Sequence, residues 1–387
     1  MARIIRFRVD GLAGREGTID RTLQEDVNVF VGINGSGKTT LLKILHSALS
    51  TDGSILRALP FKTAEVEVYL NRYNSSFTRR IEQPGLRAET QESEKAPVSL
   101  KDRVTMRRLL GEPEFPVQQW KTEPAEPKGG LTRYPSGYLP ITRLYRTVGE
   151  QTSRTKAMSE AELDARFAAA VQQRWRDYLG DVSESISEAQ GEGLAQIFHM
   201  VLSGEDQTAE TDPAHEISDA YDRVASFLAR QSGFEGILDS REEFEQKYST
   251  EPRIRNIVKQ IDLIEKNIER LNAPRHRFQS LLESMYSGNK RIVFSEKEIT
   301  VEVSDNVKIG LPALSSGEKQ LFFIALEAIQ AGNHSLIIDE PELSMHLDWQ
   351  RKLIASLRDL NPQMQLIMAT HSPEITADLA DDKIFTL

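Results

Sequence analysis

Cysteine is absent from all 387 residues. Its absence removes disulfides, thiolate nucleophiles and zinc sites built on cysteine, and it is the usage a reducing cytosol permits. Long apolar runs are missing too. Stretches such as Leu321 to Leu326 fall far short of the ~20 residues a membrane-spanning helix needs. The opening residues, Met1-Ala2-Arg3-Ile4-Ile5-Arg6, lack the apolar core of a signal peptide. A cytoplasmic protein with no membrane partner is therefore expected. Basic residues are the minority, 48 against 58 acidic for a net charge of -10, which argues against a generally basic nucleic-acid coat but leaves room for a local basic groove. What is present is an ordinary globular balance, 39% hydrophobic and 27% charged. At ~100–200 residues per domain, the length allows two or three cores. No internal repeat is visible.

The first segment alternates, with Ile5, Phe7 and Val9 on one side and Arg6 and Arg8 on the other, which predicts a strand. Asn28 to Val31 reads as a second strand that runs into a glycine-rich turn, and Leu41, Leu42, Ile44, Leu45 and Leu49 follow with helical spacing. Ala64 to Leu70 alternates again, with Phe77 to Ile81 as its hairpin partner. Between Pro84 and Pro140 lie eight of the sixteen prolines, which predicts an irregular excursion holding one short basic helix near Val104 to Leu110. Tyr138 to Arg143 returns the chain as a strand end. From Ser159 to Tyr286 the pattern is helical, opening on a Ser159/Glu162 capping box with Leu163, Phe167, Val171 and Trp175 at four-residue steps. The stripe Ile254, Ile257, Val258, Ile261, Ile264, Ile268 and Leu271 runs until Pro274 interrupts it, and fits either a helical hairpin or an amphipathic helix on an ordinary core. Arg291 to Phe294 and Ile299 to Val303 read as a β-hairpin.

Four segments carry chemistry. Gly32-Ile33-Asn34-Gly35-Ser36-Gly37-Lys38-Thr39, followed by Thr40, fits G-x-x-x-x-G-K-[ST] between an apolar strand and a helix. Its glycines let backbone N–H groups close around phosphate oxygens, Lys38 adds a point charge, and the Thr39 hydroxyl can join a Mg²⁺ shell. Leu336-Ile337-Ile338-Asp339-Glu340 is a buried-strand run ending in two carboxylates. Asp339 suits the metal side and Glu340 the attacking water. Leu314-Ser315-Ser316-Gly317-Glu318-Lys319-Gln320 precedes an apolar helix; it is either an anion site or a simple N-cap by Ser315 or Ser316. Gln365 to Thr370 is an apolar strand that ends in His371. Any one of the last three is common. Their order behind a phosphate loop is not.

In that order the residues resemble the ABC-type ATPases, in the branch shared by SMC, RecF and OLD-like proteins rather than transporters. The resemblance implies ATP and Mg²⁺ as cofactors, with Gly32 to Thr39 as Walker A, Leu314 to Gln320 as the signature and Leu336 to Glu340 as Walker B. His371 becomes the switch histidine. The stretch Asp339 to His346 resembles the D-loop of OLD-like ATPases, with His346 where transporters carry aspartate. It also implies a nucleotide sandwiched between two copies, with Ser315, Ser316 and Gly317 completing a site in trans. Gln83, Gln118 and Gln119 are alternatives for a Mg²⁺-sensing glutamine, and Arg143 or Arg146 either nears phosphate or lies on the surface.

The fold expected is α/β: an ABC-ATPase nucleotide-binding domain with a mixed sheet, plus a helical insertion forming a lobe or short coiled-coil arm. The divisions are 1–83 and 290–387 for the two ATPase lobes, 84–150 for the excursion, and 151–289 for a sensor or partner-binding insertion. Only sixteen residues follow His371, too few for the nuclease domain of OLD-like proteins, so an effector is expected on a separate chain. Stand-alone ATPases of this look occur in bacterial antiphage systems, including the PARIS type. The alternative is a DNA-maintenance ATPase that clamps duplex, drawing on the clusters Arg79-Arg80, Arg107-Arg108 and Arg275-His276-Arg277, each of which also reads as a solvated face. A scaffold that binds ATP without turnover is a third class, against which Glu340 argues.

Overall fold

The computed structural model describes residues 2–57, 59–83, 119–124, 137–140, 159–203, 217–230, 240–286, 290–295, 298–303 and 307–387. The chain divides into two compact units, one of Met1–Gln173, Phe278–Ser295 and Ile299–Leu387, the other of Arg174–Arg277 and Glu296–Glu298.

In the first unit, β1 (Ala2–Asp10), β2 (Thr18–Thr22), β4 (Thr63–Leu70), β5 (Ser75–Glu82) and β6 (Lys121–Glu123) form an antiparallel sheet of order β2-β1-β4-β5-β6. A parallel sheet of order β13-β3-β12-β11-β7 joins β3 (Val27–Val31), β7 (Gly137–Pro140), β11 (Ser335–Asp339), β12 (Gln365–Thr370) and β13 (Ile384–Thr386). Between them runs α1 (Lys38–Ser50), whose Leu41, Leu42, Ile44, Leu45 and Leu49 share one core with Phe7 and Val66 of the first sheet and Ile337 and Ile367 of the second. A helix touched by sheets on two sides needs more than one apolar stripe, and α1 has it. A third, antiparallel sheet contains β8 (Lys290–Phe294), β9 (Ile299–Val303) and β10 (Val307–Ile309). The sequence leads to the β8–β9 hairpin but not to β10.

Strand β1 departs from the expected phase. Ile4 rather than Ile5 is buried with Phe7 and Val9, because the pairing with β4 shifts between Ile4 and Arg6. A bulge of one residue turns the side chains before it to the other face. The main-chain groups at the irregularity are taken by Gln365: Ile4 N donates to Oε1 at 2.9 Å, and Nε2 donates to the carbonyls of Ile4 at 2.8 Å and Gln24 at 2.9 Å. Ser335 Oγ completes the set, donating to Oε1 at 2.8 Å. One buried amide thus ties the antiparallel sheet to the parallel one.

The second unit is helical. It contains most of α2 (Glu160–Ser203), all of α3 (Ile217–Ala229) and α4 (Arg241–Thr250), and most of α5 (Pro252–Met285). The Ser159/Glu162 capping box is formed, with Ser159 N donating to Glu162 Oε2 at 2.8 Å. Val258, Ile261 and Ile264 of α5 pack with Ala220, Val224 and Phe227 of α3 and with Phe244 and Tyr248 of α4. Leu194 and Ile197 of α2 pack against the same cluster, so the stripe seals a helix pair as well as serving this core. Pro274 does not end the helix: α5 continues through it to Met285. Proline forfeits one intrahelical bond, and the buried Phe278 and Leu282 beyond it hold the last turns in place.

The basic helix expected near Val104 to Leu110, Gln118, Arg107, Arg108, Arg143 and Arg146 lie outside the described residues. No helix among the described residues is long and apolar enough to cross a membrane.

Gln365→Leu, which strands the buried Ile4 and Gln24 groups, should lower unfolding stability by about 2–4 kcal/mol. A urea titration followed by circular dichroism measures it, and an unshifted midpoint would show that the amide is dispensable.

Candidate functional site

Hydrogen-bond register in the parallel sheet decides where the motifs meet. Val31 pairs with Thr370, and Asp339 with Ala369, so β3, β12 and β11 end side by side. The loop 32–37, the Asp339-Glu340 pair and His371 leave from adjacent carboxyl ends, where open α/β sheets place their ligands. A cleft of ≈ 260 Å³ lies there, lined by Ala13, Asn34, Gly35, Ser36, Gly37, Lys38, Thr39, Thr40, Glu340 and His371. Ser315, Ser316 and Gly317 are not in its lining, and neither are Gly32 and Asp339.

Gly37 ends the loop at φ 99°, a left-handed conformation from which α1 starts at Lys38. Glycine is the residue that adopts it without strain. A Cβ there would also press on Leu12 and Ala13, the short turn after β1 that covers the loop. Lys38 is 5% exposed. Its ammonium donates to the carbonyls of Gly32 at 2.9 Å and Ile33 at 3.2 Å, and lies 2.7 Å from His371 Nε2. An ammonium is a donor only, so Nε2 accepts and the ring proton sits on Nδ1. Burial pulls the Lys38 pKa down, opposed by the charges of Glu340, Asp339 and Glu342.

Asp339 is 7% exposed, with Oδ1 buried and lacking a hydrogen-bond partner. Burial pushes its carboxyl up to about 6 and the neighbouring Glu340 adds to the rise, while a hydrogen bond from Thr39 and the charges of Lys43 and Lys38 act the other way. A partnerless buried carboxylate oxygen beside a threonine hydroxyl is a hard-oxygen donor set, and it fits Mg²⁺, which needs few protein ligands when phosphates and water supply the rest. Glu340 stands at φ 53° and its Oε1 is 3.7 Å from His371 Nε2. A left-handed non-glycine residue marks a backbone held against its preference.

The turn before α6 (Ser316–Gln330) forms the simple cap. Ser315 is the N-cap in a capping box with Glu318, Ser315 N donating to Glu318 Oε2 at 2.6 Å. Lys290 pairs with Glu318 at 2.9 Å and Lys319 with Asp164 at 2.7 Å. Gly317 has a separate reason to lack a side chain: a Cβ would strike the carbonyl oxygen of Ser344. Gln320 Nε2 reaches the Pro341 carbonyl at 2.5 Å, so the loop after Asp339 lies directly on this turn. His346 caps α7 (Leu347–Leu360), its Nδ1 accepting from Asp348 N at 3.3 Å.

Other expectations land elsewhere. Gln83 sends its amide to the carbonyls of Leu56 at 2.5 Å and Leu59 at 3.1 Å, outside the cleft, and Gln119 is exposed. Arg79 is fully buried, its guanidinium on the carbonyls of Ala48 and Leu49 at the end of α1. Arg80 pairs with Glu65, and Arg275 lies 5.8 Å from the centroid of the Trp175 ring. Sequence reasoning missed Ala13. Its signal is Gly11-Leu12-Ala13-Gly14, a glycine-bounded turn with no chemical group to draw notice.

Residues 174–378 match a family model described as "AAA domain, putative AbiEii toxin, Type IV TA system". The chain belongs to that family, AAA_21. The matched span takes in the signature turn, Asp339-Glu340 and His371 but not the phosphate loop. Its fold is α/β, with parallel and antiparallel sheets and a helical insertion, in keeping with the AAA domain of that description. Solved structures similar to this AAA_21 chain include the Smc head domain with an extended coiled coil from Pyrococcus furiosus, bound to the C-terminal domain of ScpA, at 14% identity, covering 97% of this chain and 92% of that one with a TM-score of 0.40. The Smc head domain with a coiled coil and joint from Pyrococcus yayanosii matches at 16% identity, 98% and 94% coverage and a TM-score of 0.39. The SMC head domain from Thermotoga maritima gives 11%, 97% and 91%, and 0.38.

Raising the Asp339 pKa from 3.8 to about 6 means that the folded chain keeps this proton to higher pH than the unfolded one. Stability therefore falls as pH climbs through that window, and the full penalty is present above it. In nucleotide-free, metal-free protein, Asp339→Asn should gain melting temperature over the parent progressively from about pH 4 to 7. A pH series of thermal melts reads the difference, and parallel curves would mean that Asp339 ionises as an exposed aspartate does.

Proposed function

We propose that this chain binds and hydrolyses ATP, and that nucleotide-driven assembly of its copies switches a separate effector protein in bacterial antiphage defence. The observation that carries the reading is the convergence of Lys38, Thr39, Glu340 and His371 on one cleft, with Asp339 hydrogen-bonded to Thr39 beside it, from segments some three hundred residues apart. The loop 32–37 and Lys38 would hold the β- and γ-phosphates, with Asn34 and Thr40 at the rim. Thr39 and Asp339 would hold Mg²⁺, which when bound neutralises charge between those phosphates. Glu340 would polarise the attacking water, and His371 would contact the γ-phosphate.

Ser315, Ser316 and Gly317 are assigned to the nucleotide of a second copy. The description of the matched family as "AAA domain, putative AbiEii toxin, Type IV TA system" supports an effector-linked role. The fit to PARIS-type systems and the cytoplasmic address belong to the same proposal. The DNA-clamp alternative draws less from the structure, since Arg79 is buried and Arg80 is ion-paired.

Lys38→Ala should weaken ATP binding by ~100-fold or more, measured with a fluorescent analogue. Glu340→Gln should retain binding and slow phosphate release by ~100-fold or more, while sedimentation shows an ATP-dependent assembly that persists. If the parent protein neither assembles nor releases phosphate with ATP and magnesium, the reading is wrong.

A further inference from the structure

Glu342 lies two residues beyond Glu340 and outside the cleft lining. Its Oε1 accepts from the main-chain N–H of His371 at 2.6 Å. Strand β12 stops at Thr370, so the His371 amide is the first beyond the strand, and a carboxylate is a strong acceptor for it. The other oxygen, Oε2, is buried without a hydrogen-bond partner.

The loop carrying Glu342 has little freedom. Gln350 Nε2 donates to the carbonyls of Met345 at 2.8 Å and Glu342 at 3.4 Å, and Ser372 Oγ donates to Gln350 Oε1 at 2.7 Å. Glu340 and Ser344, at φ 53° and 63°, bend the loop at both ends. Two struts therefore run from this loop to the turn after β12: Glu342 to the His371 amide, and Gln350 to Ser372. The first acts on the residue whose imidazole stands between Lys38 and Glu340.

We infer that Glu342 is a positioning residue for hydrolysis: its carboxylate clamps the His371 amide and so sets where the imidazole stands. This rests on the hydrolytic reading above. It differs from a general stabilising role in what it predicts for turnover against binding, because the clamp acts on a group at the γ-phosphate and not on the loop that holds the nucleotide. Misplacing such a group by about 1 Å costs up to ~100-fold in rate.

The test uses the full chain, with steady-state hydrolysis and equilibrium nucleotide binding for the parent, Glu342→Ala, Glu342→Gln, His371→Ala and the Glu342→Ala/His371→Ala pair. Alanine at 342 should lower kcat by ~30–100-fold while the nucleotide Kd stays within ~3-fold. Glutamine, which keeps an acceptor oxygen in place, should recover at least ~10-fold of that loss. In the pair, Glu342→Ala should add no more than ~2-fold to His371→Ala, since residues acting as a unit are not additive. Multiplicative losses, or glutamine no better than alanine, overturn the assignment. Should the alanine variant fail to fold, Glu342→Asp, one methylene too short to reach, takes its place in the cycle. A parent that releases no phosphate sinks the hydrolytic reading instead. The clamp is then read from hydrogen exchange at the His371 amide, which should quicken ~10-fold or more in the alanine or aspartate variant. Unchanged exchange overturns it.

Discussion

Three neighbouring strands end level with one another, and everything at the cleft follows from that register. Thr370 is bonded opposite Val31, and Ala369 opposite Asp339. Slipping either pairing by two residues would move the corresponding group about 7 Å along the strand, too far for an ammonium and an imidazole to touch. The ladder, more than any single side chain, brings Lys38 to His371 and Thr39 to Asp339. Gln365 matters in the same way. It occupies the first position of β12 and anchors that strand to the bulge of β1, so the antiparallel sheet and the site-bearing sheet are held at one depth.

Charge is the second constraint on the cleft. Lys38 meets two carbonyls and a ring nitrogen, and burial pulls its pKa down. Asp339 is strained in the opposite sense, a carboxyl pushed up by burial and by Glu340. Both groups sit where their charged forms are under-compensated. A phosphate chain with a divalent cation supplies a counter-charge to each at once, which is the electrostatic case for the proposed ligand. A cleft that merely tolerated such a ligand would have no reason to bury both.

Much of this was legible in the sequence where a motif is also a local structure. The phosphate loop is a strand, a turn and a helix in one short run, and β3, Gly37 and α1 follow it residue by residue. Asp339 and His371 were legible as strand ends because β11 and β12 are fully buried and read as unbroken apolar runs. Illegible were the features that depend on a distant partner. Alternation alone placed Ile5 inside, whereas a bulge held by Gln365, 361 residues from Ile4, puts Ile4 there. Arg79 resembled half of a surface cluster until the end of α1 was seen to lie over it. Pro274 looked like a stop because proline usually is one, and only buried neighbours on the far side carry the helix past it. The bond from Glu342 to the His371 amide joins two turns that no spacing rule connects.

The strand order also bears on how the protein is made. In the parallel sheet, β3 is flanked by β12 and β13, both from the last tenth of this sequence, and the loop at its end borrows neighbours from the same stretch. Closing so wide a separation is entropically slow. A chain still emerging from the ribosome can assemble the helical unit long before its phosphate loop acquires a floor. Competence at the cleft therefore waits for β12 and β13, and a product cut short before them carries the loop without the sheet that gives it shape.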